Sequence, residues 1–310
     1  MSATHAYDCV IIGGGTAGLT AALYLLRAGK RVLVIEKQVF GGQIVSSDCI
    51  ENFPTIARIS GMEYADLLVQ QVLDLGCDVT MEEVMEIRDT QDGFETRTDS
   101  GTYRSAGVIL ATGAKHRALG LPNERELVGN GVSYCAVCDG AFFRDRKVAV
   151  IGGGNTALQS ALFLSDLCEQ VYLVHRRAQF RAHQHTVDAV RKRDNIQLLT
   201  PYVAHCIQGG ERVQGLELVD PQDATNTLRL SVDGIFVTIG QIPQNEFVQH
   251  LVRLDEQGYI AAGENCVTSH PGIYVAGDCR SKQLRQLTTA AADGAVAAMA
   301  LCDYLNARNV

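Results

Sequence analysis

Cys9-Val10-Ile11-Ile12-Gly13-Gly14-Gly15-Thr16-Ala17-Gly18 is a short apolar run entering Gly-x-Gly-x-x-Gly. Val148-Ala149-Val150-Ile151-Gly152-Gly153-Gly154-Asn155-Thr156-Ala157 repeats it, with Ala157 in the last glycine place. The two stretches align without a gap at an offset of 139 residues. Each continues into a helical pattern, Leu19, Leu23 and Leu26 in the first copy and Leu158, Leu162 and Leu167 in the second. Each then enters a second apolar strand, Arg31 to Ile35 and Gln170 to Val174. Strand, glycine turn, helix and strand at this distance form the dinucleotide-binding unit. One glycine makes the tight turn, one admits the pyrophosphate, and one lets the helix pack on the strand. The pyrophosphate then meets the helix N-terminus, where free N–H groups and the helix dipole favour anions.

The copies differ where they would meet the ribose. Glu36 lies 23 residues after Gly13, and a carboxylate there accepts ribose hydroxyls. The matching residue of the second copy is His175, followed by Arg176, Arg177 and Arg181. Guanidinium groups bind a ribose 2′-phosphate through charge-assisted, often bidentate bonds, whereas a carboxylate repels it. The first copy therefore reads as a site for FAD or NAD, and the second as a site for NADP(H). A solvated basic turn is the alternative for the arginines.

Between the copies, Val108 to Ala114 is a buried-strand run closing on Thr112 and Gly113, and Ile235 to Gly240 is its counterpart. Each looks like the last strand of its nucleotide domain. Gly272 to Asp278 is a further strand delivering an acid, and Ala290 to Leu305 reads as an Ala-rich helix. The expected architecture is α/β, with two Rossmann-like three-layer domains. A discontinuous first domain spans 1–115 and 245–310, and the second, 116–244, is inserted into it. The crossings near 114 and 241 would be the hinges.

Cys135-Ala136-Val137-Cys138-Asp139 lies just before the second copy. A Cys-x-x-Cys pair can close a disulfide ring and often holds one thiol at a lowered pKa. It is also half of a zinc site, which needs four ligands. No second Cys-x-x-Cys exists in the chain. The other eight of the ten cysteines are scattered without a pairing pattern and read as free thiols of a reducing cytosol.

A net charge of −8 argues against nucleic acid or an anionic membrane as partner. No stretch approaches the ~18–20 apolar residues of a membrane span. Met1 to Asp8 lacks the basic start and apolar core of a secretory signal, so the expected location is cytoplasmic.

Taken together, the chain resembles the low-molecular-weight thioredoxin reductases, within the flavoproteins that carry two dinucleotide-binding domains. The resemblance runs essentially end to end. It rests on both fingerprints, Glu36, Gly41-Gly42-Gln43, Asn52-Phe53-Pro54, Ala111-Thr112-Gly113, Cys135 to Asp139, His175 to Arg177 with Arg181, Ala276-Gly277-Asp278 and Arg285-Gln286. Lipoamide and glutathione reductases carry Cys-x4-Cys near the N-terminus, where this chain has Cys49 alone.

The resemblance implies FAD held by Gly13, Gly15, Thr16, Ala17, Gly18, Glu36, Lys37, Gly42, Gln43, Asn52, Thr112, Gly113, Asp278, Arg285 and Gln286. It implies NADPH held by Gly152, Gly154, Asn155, Thr156, Ala157, His175, Arg176, Arg177 and Arg181. Electrons would pass from NADPH through FAD to the Cys135–Cys138 disulfide, and on to a thioredoxin-like protein, one domain rotating against the other. Cys138 would face the flavin, Cys135 would attack the partner, and Asp139 would protonate the leaving thiolate. The family is usually a homodimer. Gln159 departs from it, since an acid often stands two places after the second fingerprint's Ala. The alternatives are a reductase of another dithiol carrier, a flavin-dependent oxidase of small dithiols, and a zinc-stabilised nucleotide-binding protein. Phe142 and Phe143 would be interface anchors or core, and the nearby His116, Arg117, Arg125, Arg144 and Arg146 a docking surface or solvated charge.

Overall fold

The computed structural model describes residues 7–47 and 49–308; residues 1–6, part of the stretch inspected for a signal, lie outside them. The chain divides into two compact units. One comprises the residues up to Lys115 together with Ile242 onward, and the other is His116–Gln241.

In chain order the first unit begins β1 (Tyr7–Ile12), α1 (Thr16–Arg27), β2 (Val32–Glu36), α2 (Gly61–Leu73) and β3 (Asp78–Met81). A meander follows, β4 (Val84–Thr90), β5 (Gly93–Thr98) and β6 (Thr102–Leu110). The chain leaves along β7 (Ala114–His116). The second unit holds β8 (Val132–Ser133), α3 (Ala136–Asp139), β9 (Lys147–Ile151), α4 (Asn155–Ser165), β10 (Gln170–Val174), α5 (Gln184–Arg191) and β11 (Ile196–Leu199). It continues with β12 (Val203–Gly209), β13 (Val213–Asp220), β14 (Asp223–Leu230) and β15 (Gly234–Val237). The chain returns along β16 (Gln241–Pro243) and ends with β17 (Ile273–Val275) and α6 (Leu287–Arg308).

The first sheet runs β3-β2-β1-β6-β5-β4. β1 is parallel to β2 and β6, with Val10 opposite Leu33 and Val108. The run at 108–110 is therefore central rather than last. The N-terminal half of β6 pairs antiparallel with β5, and its C-terminal half pairs parallel with β17, Val108 to Ile273. One face of the sheet packs on α1, α6 and Val72 of α2, and the other on Ile87 of β4, Phe94 of β5, Val248, Val252 and Ile260. That makes a three-layer unit. β1 is buried along Cys9 to Ile12, as expected of a parallel strand covered on both faces.

The second sheet is all parallel, in the order β11-β10-β9-β15-β8. α4 and α5 cover one face, and the antiparallel sheet β12-β13-β14 covers the other. Repeated local sequence thus gives repeated three-layer units. Among the described residues no helix is long and apolar enough to cross a membrane.

Candidate functional site

The first-unit site residues gather where parallel strands end. β1 runs into Gly13, β2 ends at Glu36, β6 runs into Ala111-Thr112-Gly113, and β17 runs into Ala276-Gly277-Asp278. Ligands of open α/β sheets bind outside these carboxyl ends. Gly13 has φ 108°, and a Cβ there would lie 2.3 Å from the Ala111 carbonyl oxygen. Gly18 has no room either, because a Cβ would fall 1.9 Å from the Gly13 oxygen. Those contacts seat α1 directly on the turn.

Gly15 is the N-cap of α1, with no side-chain cap and no acid in the first turn. Gly154 stands the same way before α4, and a Cβ on it would meet nothing within 4 Å. Thr16, Ala17 and Gly18, and Asn155, Thr156 and Ala157, thus open two helices whose N-termini suit a phosphate.

Glu36 accepts the Gly14 N–H at 2.8 Å and the Gln38 N–H at 2.9 Å, which fixes its carboxylate beside the turn. Lys37 bonds Gln244 at 2.9 Å. Gly42 has φ 68°, and the neighbouring Gln43 amide donates to the Ala114 carbonyl. Asn52 donates to Gln286 at 3.2 Å.

Asp278 supplies the test of fit for a flavin nucleotide. Its Oδ1 is buried and has no hydrogen-bond partner among the described residues. Burial pushes the carboxyl above its ordinary value, against the pull of Lys282 and Arg285. A buried acceptor with no donor calls for a hydroxyl from outside the chain. With Glu36 and the open α1 terminus, the residues present fit a flavin nucleotide.

Arg285, another of the expected flavin-site residues, lies against the Asp278 loop. Its guanidinium donates to the carbonyls of Asp278, Lys282 and Arg280 at 3.1–3.2 Å and lies 4.1 Å from the Tyr259 ring centroid. It shapes the loop that presents Asp278.

In the second unit, His175 does not stand in open space either. A Cβ on Gly153 would lie 2.2 Å from its Nδ1. The ring stacks on Phe180 at 5.4 Å, and Nε2 meets the Gln179 carbonyl at 3.2 Å. Burial pushes its pKa below the ordinary histidine value. The Arg181 N–H bonds the Gly153 carbonyl at 2.7 Å, and Asn155 Oδ1 accepts the His183 N–H at 2.8 Å. The arginine loop is therefore stapled to the glycine turn. Arg176, Arg177 and Arg181 are exposed and have no carboxylate partner among the described residues. Gln159 is exposed on the first turns of α4.

Cys135 and Cys138 form a disulfide, with Cα atoms 5.3 Å apart. Cys135 caps α3, its Sγ accepting the Cys138 N–H at 3.2 Å. Asp139 closes that turn, its N–H on the Cys135 carbonyl and Oδ2 on the Ser133 hydroxyl. Phe143 packs edge-on against buried Phe236, 5.3 Å between centroids, while Phe142 and Val137 are exposed. The aromatic pair is split, one residue core and one surface. The zinc alternative needs further ligands, yet no group of three or more His, Cys, Asp or Glu side chains stands together among the described residues.

Three buried polar groups escaped the sequence reading. Asn245, 1% exposed, accepts the Thr112 hydroxyl and donates to the Gly258 and Cys279 carbonyls. Asp293 accepts the Gly277 N–H, Arg280 and Lys282. Ser133 joins Cys135 to Asp139. Asp293 left a signal, since an acid on the apolar side of an Ala-rich helix needs a partner. Asn245 and Ser133 left none.

The chain matches the model of the pyridine nucleotide-disulphide oxidoreductase family over residues 7–294. It is 40% identical over 301 residues to the thioredoxin reductase of Treponema pallidum, covering 97% of each chain. It is 39% identical over 292 residues to that of Listeria monocytogenes, covering 94% of this chain and 91% of the relative. The crystal structure of thioredoxin reductase from Streptococcus pyogenes superposes with a TM-score of 0.92 at 37% identity, covering 97% of this chain and 98% of that one.

Proposed function

The chain belongs to the pyridine nucleotide-disulphide oxidoreductases, among the thioredoxin reductases, and on that premise we propose that it reduces a thioredoxin-like protein with electrons from NADPH. The observation that carries the proposal is the Cys135–Cys138 disulfide, lying in the unit whose glycine turn is bonded to the loop that carries Arg176, Arg177 and Arg181.

FAD, when bound, supplies a two-electron carrier between a nicotinamide and a disulfide. The chain's own residues do the rest. The α1 terminus and Glu36 hold the dinucleotide, and Asp278 accepts a hydroxyl through Oδ1. The α4 terminus takes the NADPH pyrophosphate, and Arg176, Arg177 and Arg181 take the 2′-phosphate. Rotation of one unit against the other lets both reactants take turns.

In the dithiol form, Cys135 attacks the partner disulfide and Cys138 resolves the mixed disulfide. Asp139 protonates the departing thiolate. Exposed Val137, between the two cysteines, and Phe142, four residues after them, suit an apolar contact with the partner. The proposal includes action as a homodimer in the cytoplasm.

Anaerobic titration of the yellow protein with NADPH and with NADH tests the reading. NADPH should bleach the flavin band, and coupled reduction of oxidised thioredoxin should follow. Cys135→Ser should abolish that second step while NADPH still bleaches the flavin. Preferential bleaching by NADH, or thioredoxin reduction undiminished by the substitution, would sink the assignment.

A further inference from the structure

Ser133 ends β8, opposite Phe236 of β15, and is 4% exposed. Its Oγ accepts the Cys135 N–H at 3.0 Å. It also lies 2.6 Å from Asp139 Oδ2 and 3.3 Å from the Cys135 carbonyl oxygen. A hydroxyl has one proton to give. The carboxylate takes it, because charge-assisted O–H···O bonds run at about 2.5–2.7 Å and are the stronger kind.

The support behind Ser133 is rigid. Tyr134, the next residue, donates to buried Glu124 at 2.9 Å, and its ring stacks on His116 at 5.1 Å. Glu124 in turn accepts the N–H groups of Leu119, Gly120 and Leu121. The segment 133–135 is thereby fixed from the sheet side and from the loop side. One buried hydroxyl on it touches both the backbone of the attacking cysteine and the proposed acid.

We propose that Ser133 is a positioning residue for disulfide exchange, holding the Asp139 carboxyl by Oδ2 beside the cysteine pair, where it gives its proton to the departing thiolate. This rests on the function proposed above. The Cys135 thiolate forms a bond to one sulfur of the partner. The partner S–S bond breaks, and the other sulfur leaves with the electron pair and takes the proton from Asp139. The carboxylate so formed already accepts the Ser133 hydroxyl, which stabilises its charge. It then takes the proton of the Cys138 thiol. That thiolate attacks Cys135 Sγ and displaces the first partner sulfur, which takes a proton from water. The protein dithiol is oxidised and the partner disulfide reduced, two electrons passing between them.

A double-mutant cycle tests the pairing. The flavin-loaded protein is reduced with dithiothreitol, freed of reductant, and mixed with oxidised thioredoxin in a single turnover. Ser133→Ala should slow exchange about tenfold, the weight of one hydrogen bond to a charged group. Ser133→Thr, which keeps the hydroxyl, should restore the rate to within about twofold of wild type. In an Asp139→Asn background, Ser133→Ala should add no further loss. A full tenfold loss in that background, or no rescue by Thr, would overturn the positioning role while leaving the function standing. Absence of exchange by the reduced wild-type protein would overturn both.

Discussion

The His175 imidazole covers Gly153 so closely that a Cβ at 153 would stand 2.2 Å from Nδ1. The ring cannot retreat freely, because Phe180 stacks on it and the Gln179 carbonyl holds Nε2. Gly153→Ala should therefore displace the loop that carries Arg176, Arg177 and Arg181. Overpacking of this kind costs about 1–3 kcal/mol. The expected outcome is NADP+ binding weakened about tenfold or more in a calorimetric titration, with no loss of bound flavin.

Arg177→Ala isolates the charge from the packing. Its guanidinium is exposed and bonds no carboxylate among the described residues, so the fold should be unaffected. A hydrogen bond between charged partners contributes about 1.5–3 kcal/mol, so NADP+ affinity should fall roughly 10- to 100-fold. NAD+ affinity should hold. Equal losses for both nucleotides would show that the arginine does not read the 2′-phosphate.

Asp278 makes the flavin-free protein sensitive to pH. Burial raises its folded pKa above the unfolded value of about 3.9, so the native state binds the proton more tightly. Stability must then fall as pH rises from about 4 through the raised pKa. Asp278→Asn removes that dependence. In thermal melts of the flavin-free proteins, the variant should gain on wild type as pH goes from 4 to 7.

Asp293 predicts the opposite slope. Burial would raise its pKa, but bonds from Arg280 and Lys282 outweigh that and hold it below the ordinary value. Its contribution to stability is present above the unfolded pKa and lost as pH falls through the folded one. The Arg280 and Lys282 side chains are only 2% and 5% exposed, so Asp293→Asn would strand buried charge. Breaking such a group costs about 3–5 kcal/mol. Urea unfolding at pH 7 should show an unfolding free energy lower by that amount, the difference shrinking toward pH 3.

The paired nucleotide units were legible because their signal is local. Strand, glycine turn, helix and strand lie within one short stretch, and the Gly13 carbonyl that requires Gly18 lies in the same turn, although Gly13 itself is required by the distant Ala111 carbonyl beyond β6. The redox pair was legible for the same reason, since four consecutive residues close the ring. What depends on distant partners was not. Nothing local in the sequence announces that three carbonyls and the Tyr259 ring hold the Arg285 guanidinium. The 108–110 run looks like a terminal strand, yet β17 arrives from more than 160 residues later to cover its flank. Phe142 and Phe143 share a composition, and only Phe236 tells them apart. Ser133 is an ordinary serine until Asp139 comes round one helical turn to meet it.

The place of β17 and α6 also dictates an order of events at the ribosome. Translation delivers β1 to β6, then the whole of the second unit, and only afterwards the strand beside β6 and the helix against α1. Gly294 of α6 approaches α1 so closely that a Cβ would lie 2.3 Å from the Ala17 carbonyl oxygen, a fit that nothing synthesised earlier provides. The inserted unit, contiguous in sequence, has all its strands while the first still shows a bare sheet flank and an uncovered helix face. Domains fold as units when their chain is complete. The inserted unit of the nascent protein therefore has its full complement of strands before the unit that surrounds it in sequence.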